Sequence, residues 1–112
     1  MKTTTSDKSN SYDAIMPLLQ SMFREFQDLS KKKPEGVLSK TKIDVVNRLL
    51  VDVLFLLEGQ PTRQFLDLID GDGVPQYSDV VLMLGQAEAA MRRFRSEHHG
   101  SSIYNHGWHI ED

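Results

Sequence analysis

The chain contains no cysteine. Disulfides, thiolate metal sites and cysteine nucleophiles are therefore excluded together. A domain this small in an oxidising compartment often leans on disulfides, so their absence favours a reducing, cytoplasmic setting. Two further absences bear on location. The opening residues, MKTTTSDKSNSYD, have no apolar stretch of the kind a signal peptide needs, so none is expected. The most apolar run, VVNRLLVDVLFLLEG, is interrupted by Arg48 and Asp52. It falls short of the roughly 20 apolar residues that span a bilayer, so no membrane contact is expected. There is no glycine-rich phosphate loop, no serine nucleophile elbow, no internal repeat and no low-complexity tract. Charge of one sign is also scarce. The formal net charge is -3, too small to announce a nucleic acid or an acidic substrate as partner. No cofactor is expected.

What is present reads as one globular domain of modest core: 112 residues, 39% hydrophobic and 26% charged. Residues 1–9 are polar and read as a flexible N-terminal tail. Residues 10–100 form a helical bundle domain. A first helix starts near Asn10 or Ser11, either of which can cap free N–H groups. Tyr12, Ile15, Leu19, Met22, Phe23, Phe26 and Leu29 recur at steps of three and four and share one face. Pro34 ends it. A second helix is capped by Thr41 with Asp44, or by Ser39. It carries Ile43, Val46, Leu50, Val53, Leu54 and Leu57, widened by Val45, Leu49, Phe55 and Leu56 into a nearly all-round apolar helix, which predicts a central position. Gly59 closes it. A short third helix begins at Pro61, with Phe65, Leu66 and Ile69 as its buried candidates, and the turn cluster DGDGVPQ ends it. A fourth helix, capped by Ser78, buries Val80, Leu84, Ala87, Met91 and Phe94. Gly85 and Ala89 leave a notch on it for close helix approach. Residues 101–112 form a C-terminal extension whose Ile103, Tyr104, Trp108 and Ile110 predict packing on the bundle or on a partner.

The predicted fold is all-α: an antiparallel bundle of three long helices plus one short capping helix. Each long helix spans about 30 Å at 1.5 Å per residue, and the short helix is under half that. A helix too short to cross the bundle sits over one end and sends the fourth helix back antiparallel to the second. This topology gathers Lys31, Lys32, Lys33, Lys40 and Lys42 with Arg92, Arg93 and Arg95 into a basic pole. Glu58, Asp67, Asp70, Asp72 and Asp79 then make an acidic pole opposite. Clustered Lys and Arg can hold phosphate or nucleic acid without sequence preference.

Four other constellations carry chemistry. The segment RFRSEH, Arg93 to His98, resembles the Rx4H motif of the HEPN ribonucleases, small helical bundles that carry it near the last helix. The resemblance implies RNA cleavage, with Arg93 and His98 acting at the scissile phosphate across a dimer interface. It rests on these residues and the bundle architecture, and Phe94 stands where the family usually has a polar residue. His98, His99, His106 and His109 offer imidazoles for zinc or nickel, though at no standard spacing and beside an ordinary His-rich tail as the alternative. In DGDG, aligning Asp72 and Gly73 with a calcium loop puts Leu68 at the first ligand position, so a tight acidic turn is the better reading. Asp52 stands among apolar residues, with Arg48 four residues earlier as its expected structural partner.

The second helix shows more apolar surface than two neighbours cover, and the C-terminal extension lacks a local partner. Both point to a non-enzymatic protein–protein interaction module, a homodimer with Phe55, Leu56 and Trp108 at its interface. The expected partner is a second copy or another protein. The alternatives are a small HEPN-like ribonuclease using Arg93 and His98, and phosphate or nucleic-acid binding through the basic pole.

Overall fold

A computed structural model describes residues 6–98. The C-terminal extension with Trp108, and His99, His106 and His109, lie outside the described residues, as does the side chain of His98. The fold is all-α, with three long helices: α1 (Ser6–Lys32), α2 (Lys40–Leu56) and α3 (Tyr77–His98). Helix α1 begins four residues before Asn10. That extra turn, Ser6 to Ser9, contains no apolar residue, so hydrophobic periodicity cannot register it. Pro17 lies inside α1. Having no N–H, it leaves the Asp13 carbonyl without its helical donor. Both residues line an open hollow on the surface.

Ser39, not Thr41, caps α2: its hydroxyl accepts from the Lys42 backbone N–H at 3.2 Å. At α3, the Asp79 carboxylate accepts from the Gln76 N–H at 2.8 Å, which is half of a capping box and moves the cap two residues ahead of Ser78. The core takes Tyr12, Ile15, Leu19 and Phe26 from α1, and Val46, Leu50 and Val53 from α2. From α3 it takes Val80, Leu84, Ala87, Met91 and Phe94. At Gly85 the small-residue notch on α3 faces α1, whereas Ala89 is exposed and lines a groove with Phe65 and Leu66. A methyl added at Gly85 would lie 3.3 Å from the Phe23 ring. The most extensive helix pair is α1 with α3. Helix α2 is not central, and Val45, Val51 and Phe55 on it are exposed.

The connection from α2 to α3 departs most from expectation. Two short 3-10 turns, Pro61–Phe65 and Gly71–Gly73, replace the third helix, and the chain between them is extended. The segment does not cap one end. It runs back along α2, burying Leu66 and Ile69. The Asn47 side chain pins it through Nδ2 to the Ile69 carbonyl at 2.9 Å and through Oδ1 to the Ile69 N–H at 2.7 Å. At the far end the Leu38 N–H donates to the Pro75 carbonyl, and the Tyr77 N–H to the Gly36 carbonyl. Helix α2 is about 25 Å long by helical rise. Extended chain covers about 3.3 Å per residue, so about eight residues suffice for the return. Phe65, expected in the core, is turned outward and 66% exposed.

A full return fixes the helix directions. The Tyr12 and Phe94 rings stack at 6.3 Å, so the start of α1 meets the end of α3. Phe26 meets Tyr77 at 6.0 Å, and Lys42 donates to the Tyr77 hydroxyl, so the end of α1 meets the starts of α2 and α3. Helices α2 and α3 therefore run parallel, each antiparallel to α1.

Candidate functional site

This topology separates the two basic clusters. Lys31, Lys32, Lys33, Lys40 and Lys42 sit at one end of the bundle, while Arg92, Arg93 and Arg95 lie near the end of α3 at the other, Arg92 and Arg95 beside the start of α1. Twenty residues of α1 separate Tyr12 from Lys32, about 30 Å by helical rise. The expected basic pole does not form, because an extended return segment crosses the bundle where a short helix could not. The acidic residues are divided as well, with Glu58 just past α2 and Asp70, Asp72 and Asp79 near the start of α3. Individual members are already engaged. Lys42 lies 5.2 Å from the Tyr77 ring centre. Arg92 donates to Glu88 at 2.6 Å, and Arg93 to Glu97 at 3.1 Å.

A hollow of about 630 Å³ opens between the first half of α1 and the end of α3, with Tyr12, Asp13, Gln20, Arg92 and Arg95 around it. Its charges are mixed, and Arg92 is held by Glu88, so it offers no uniform field to an anion. Burial raises the Tyr12 phenol above its ordinary value, against an opposing pull from Arg95. Arg93 faces a different groove, beside Phe65, Leu66 and Ala89. In the DGDG turn the Asp70 carboxylate accepts the Asp72 N–H at 3.0 Å, the bond of a tight acidic turn. Among the described residues no group of three or more His, Asp or Glu is placed to hold a metal ion.

The most coherent surface lies between α1 and α2. On α2, Val45, Arg48, Asp52 and Phe55 follow a three-four-three spacing and form one strip. On α1, Ser11, Ala14, Leu18, Ser21 and Glu25 run beside it. Leu18 is 61% exposed, Val45 46% and Phe55 71%. Two shallow grooves of about 350 and 250 Å³ lie along this seam, and Asp52 borders both. Among the described residues neither Arg48 nor Asp52 has an ion-pair or hydrogen-bond partner, so the expected pair within α2 is not made. Of the expected interface residues, Phe55 is on this face. Leu56 is 1% exposed, because it shares the inward face with Leu49 and Val53. Leu18 and Val45 were not legible as surface residues. Leu18 falls off the α1 stripe, and Val45 merged with the wide apolar arc of α2.

No family model, curated protein or solved structure matches the chain. No helix among the described residues is long and apolar enough to cross a membrane.

Proposed function

We propose that the chain is a non-enzymatic helical protein–protein interaction module that acts as a homodimer, using the face shared by α1 and α2. The observation that carries this is the clustering of Leu18, Val45 and Phe55, all exposed, along one seam. Single exposed apolar side chains are ordinary on soluble proteins, whereas three aligned along one seam of two helices support a contact surface. Light scattering on the purified protein at micromolar concentration tests it. The expected mass is twice the 12.8 kDa of one chain, and Leu18→Gln with Phe55→Gln shifts it to the monomer. A clean monomer mass for the unaltered protein overturns the proposal. RNA cleavage that disappears in Arg93→Ala would replace it with the ribonuclease reading.

A further inference from the structure

The strip on α2 has an internal symmetry. Val45 and Phe55 are each five positions from Leu50, and Arg48 and Asp52 are each two positions from it. A two-fold axis crossing α2 at the level of Leu50 exchanges these positions between two copies. Val45 of one copy then meets Phe55 of the other, and Arg48 meets Asp52 of the other. The spacing is that of the inward positions of a helix pair, three-four-three, which keeps all four residues on the seam.

Building on the homodimer reading, we propose that the α1–α2 face receives a second copy of this chain with its α2 antiparallel, in a register set by two reciprocal Arg48–Asp52 pairs. Three observations converge on a second copy as occupant. Arg48 and Asp52 are exposed and make no ion pair with each other or with a described neighbour. They carry opposite charge at symmetry-related positions, so the surface complements itself, as an isologous interface must. The apolar residues fall into the same scheme, flanking the charges at both ends, with Leu18 of α1 beside the centre. Two α1–α2 pairs meeting this way make a four-helix arrangement with near-antiparallel axes. Two helices of roughly 10 Å diameter, over the 25 Å of α2, offer on the order of 500 Å² in projection. Counted on both partners this is about 1,000 Å², the lower end of the range for a specific interface.

Charge swaps test the register. Arg48→Asp places two aspartates against two aspartates, and Asp52→Arg places arginines against arginines. Each single variant is expected to weaken self-association by roughly tenfold or more. The double variant, Arg48→Asp with Asp52→Arg, restores it, and an equimolar mixture of the two single variants forms a heterodimer. Both positions are exposed, so circular dichroism and the melting temperature are expected to stay near those of the unaltered protein. A second measurement does not depend on charge. The chain has no cysteine, so Val45→Cys protein mixed with Phe55→Cys protein, under mild oxidation, should cross-link between the two variants in preference to either with itself. If the unaltered protein is a monomer, the homodimer reading fails and this register with it. If it is a dimer that ignores the swaps and cross-links Val45→Cys to itself, the homodimer stands and the antiparallel register is overturned.

Discussion

Replacing Asn47 by alanine removes the one side chain that ties the return segment to α2 by two hydrogen bonds. Nδ2 gives up the Ile69 carbonyl at 2.9 Å and Oδ1 the Ile69 N–H at 2.7 Å. Ile69 is buried, so both backbone groups lose their partners where water enters poorly. An unsatisfied buried group costs about 1–3 kcal/mol. Asn47 itself is half-buried, and partial hydration trims the sum to roughly 2–4 kcal/mol. A domain of this size loses about 4 °C or more in melting temperature per kcal/mol, so a fall of roughly 10 °C is expected. Urea unfolding gives the free energy, and hydrogen exchange at the Ile69 amide reports the site. Arg63→Ala serves as the comparison. It removes an exposed bond from Arg63 Nε to the Leu54 carbonyl and is expected to cost under about 1 kcal/mol. Asn47→Asp refines the test. A carboxylate still accepts the Ile69 N–H but repels the Ile69 carbonyl, whereas a protonated carboxyl can donate to it. If the lost donation to the Ile69 carbonyl dominates, the variant is more stable at low pH, where the carboxyl is protonated, than at neutral pH. A cost below about 0.5 kcal/mol for Asn47→Ala, equal to that of Arg63→Ala and with Ile69 still protected, refutes the pinning argument.

Two further outcomes follow from single contacts. A methyl at Gly36 would lie 2.5 Å from Tyr77 Cε2, and that ring is flanked by Phe26 and Lys42. Gly36→Ala is therefore expected to cost about 1–3 kcal/mol in urea unfolding, and a neutral result would mean that the ring moves freely. Burial raises the Tyr12 phenol, so the unfolded chain loses this proton first as pH climbs. Stability from this group is complete below about pH 10 and is lost as pH rises to the folded value, a slope that Tyr12→Phe should remove and that, if unchanged in the variant, belongs to other groups.

Hydrophobic periodicity located the helices because each buries one stripe. All five residues assigned to the α3 stripe are buried, and Leu19 at the middle of α1 is fully enclosed. The same pattern misjudged α2, since periodicity reports how much of a helix is apolar and not how many neighbours cover it. Its apolar arc reads as all-round burial, yet its neighbours cover only the side carrying Val46, Leu49, Leu50, Val53 and Leu56. The topology failed for a different reason. Height taken at helical rise makes a short element between α2 and α3 look unable to cross. Pro61 and the Gly71–Gly73 turn produced 3-10 turns and extended chain, which gain height faster per residue. Asn47 was unremarkable in sequence, because a polar residue that bonds backbone groups from 22 positions away leaves no local signal.

Asp52 was the residue that fitted the sequence reading least, a carboxylate among Val51, Val53 and Leu54. In a central helix it would need a partner to offset its desolvation, and Arg48 is the nearest available by spacing. The parallel arrangement of α2 and α3 removes that demand. It leaves the Val45–Phe55 strip at the edge of the bundle, where Arg48 and Asp52 remain exposed. The same arrangement separates the lysines at the end of α1 and the start of α2 from the arginines at the end of α3. In the proposed homodimer, recognition falls to the side of the molecule. An apolar strip alone would permit many sliding registers, since hydrophobic contact is non-directional. Two opposite charges placed symmetrically within it penalise every register that juxtaposes like charges. The residue that looked misplaced as part of a core is thus well placed to choose among alignments of a surface.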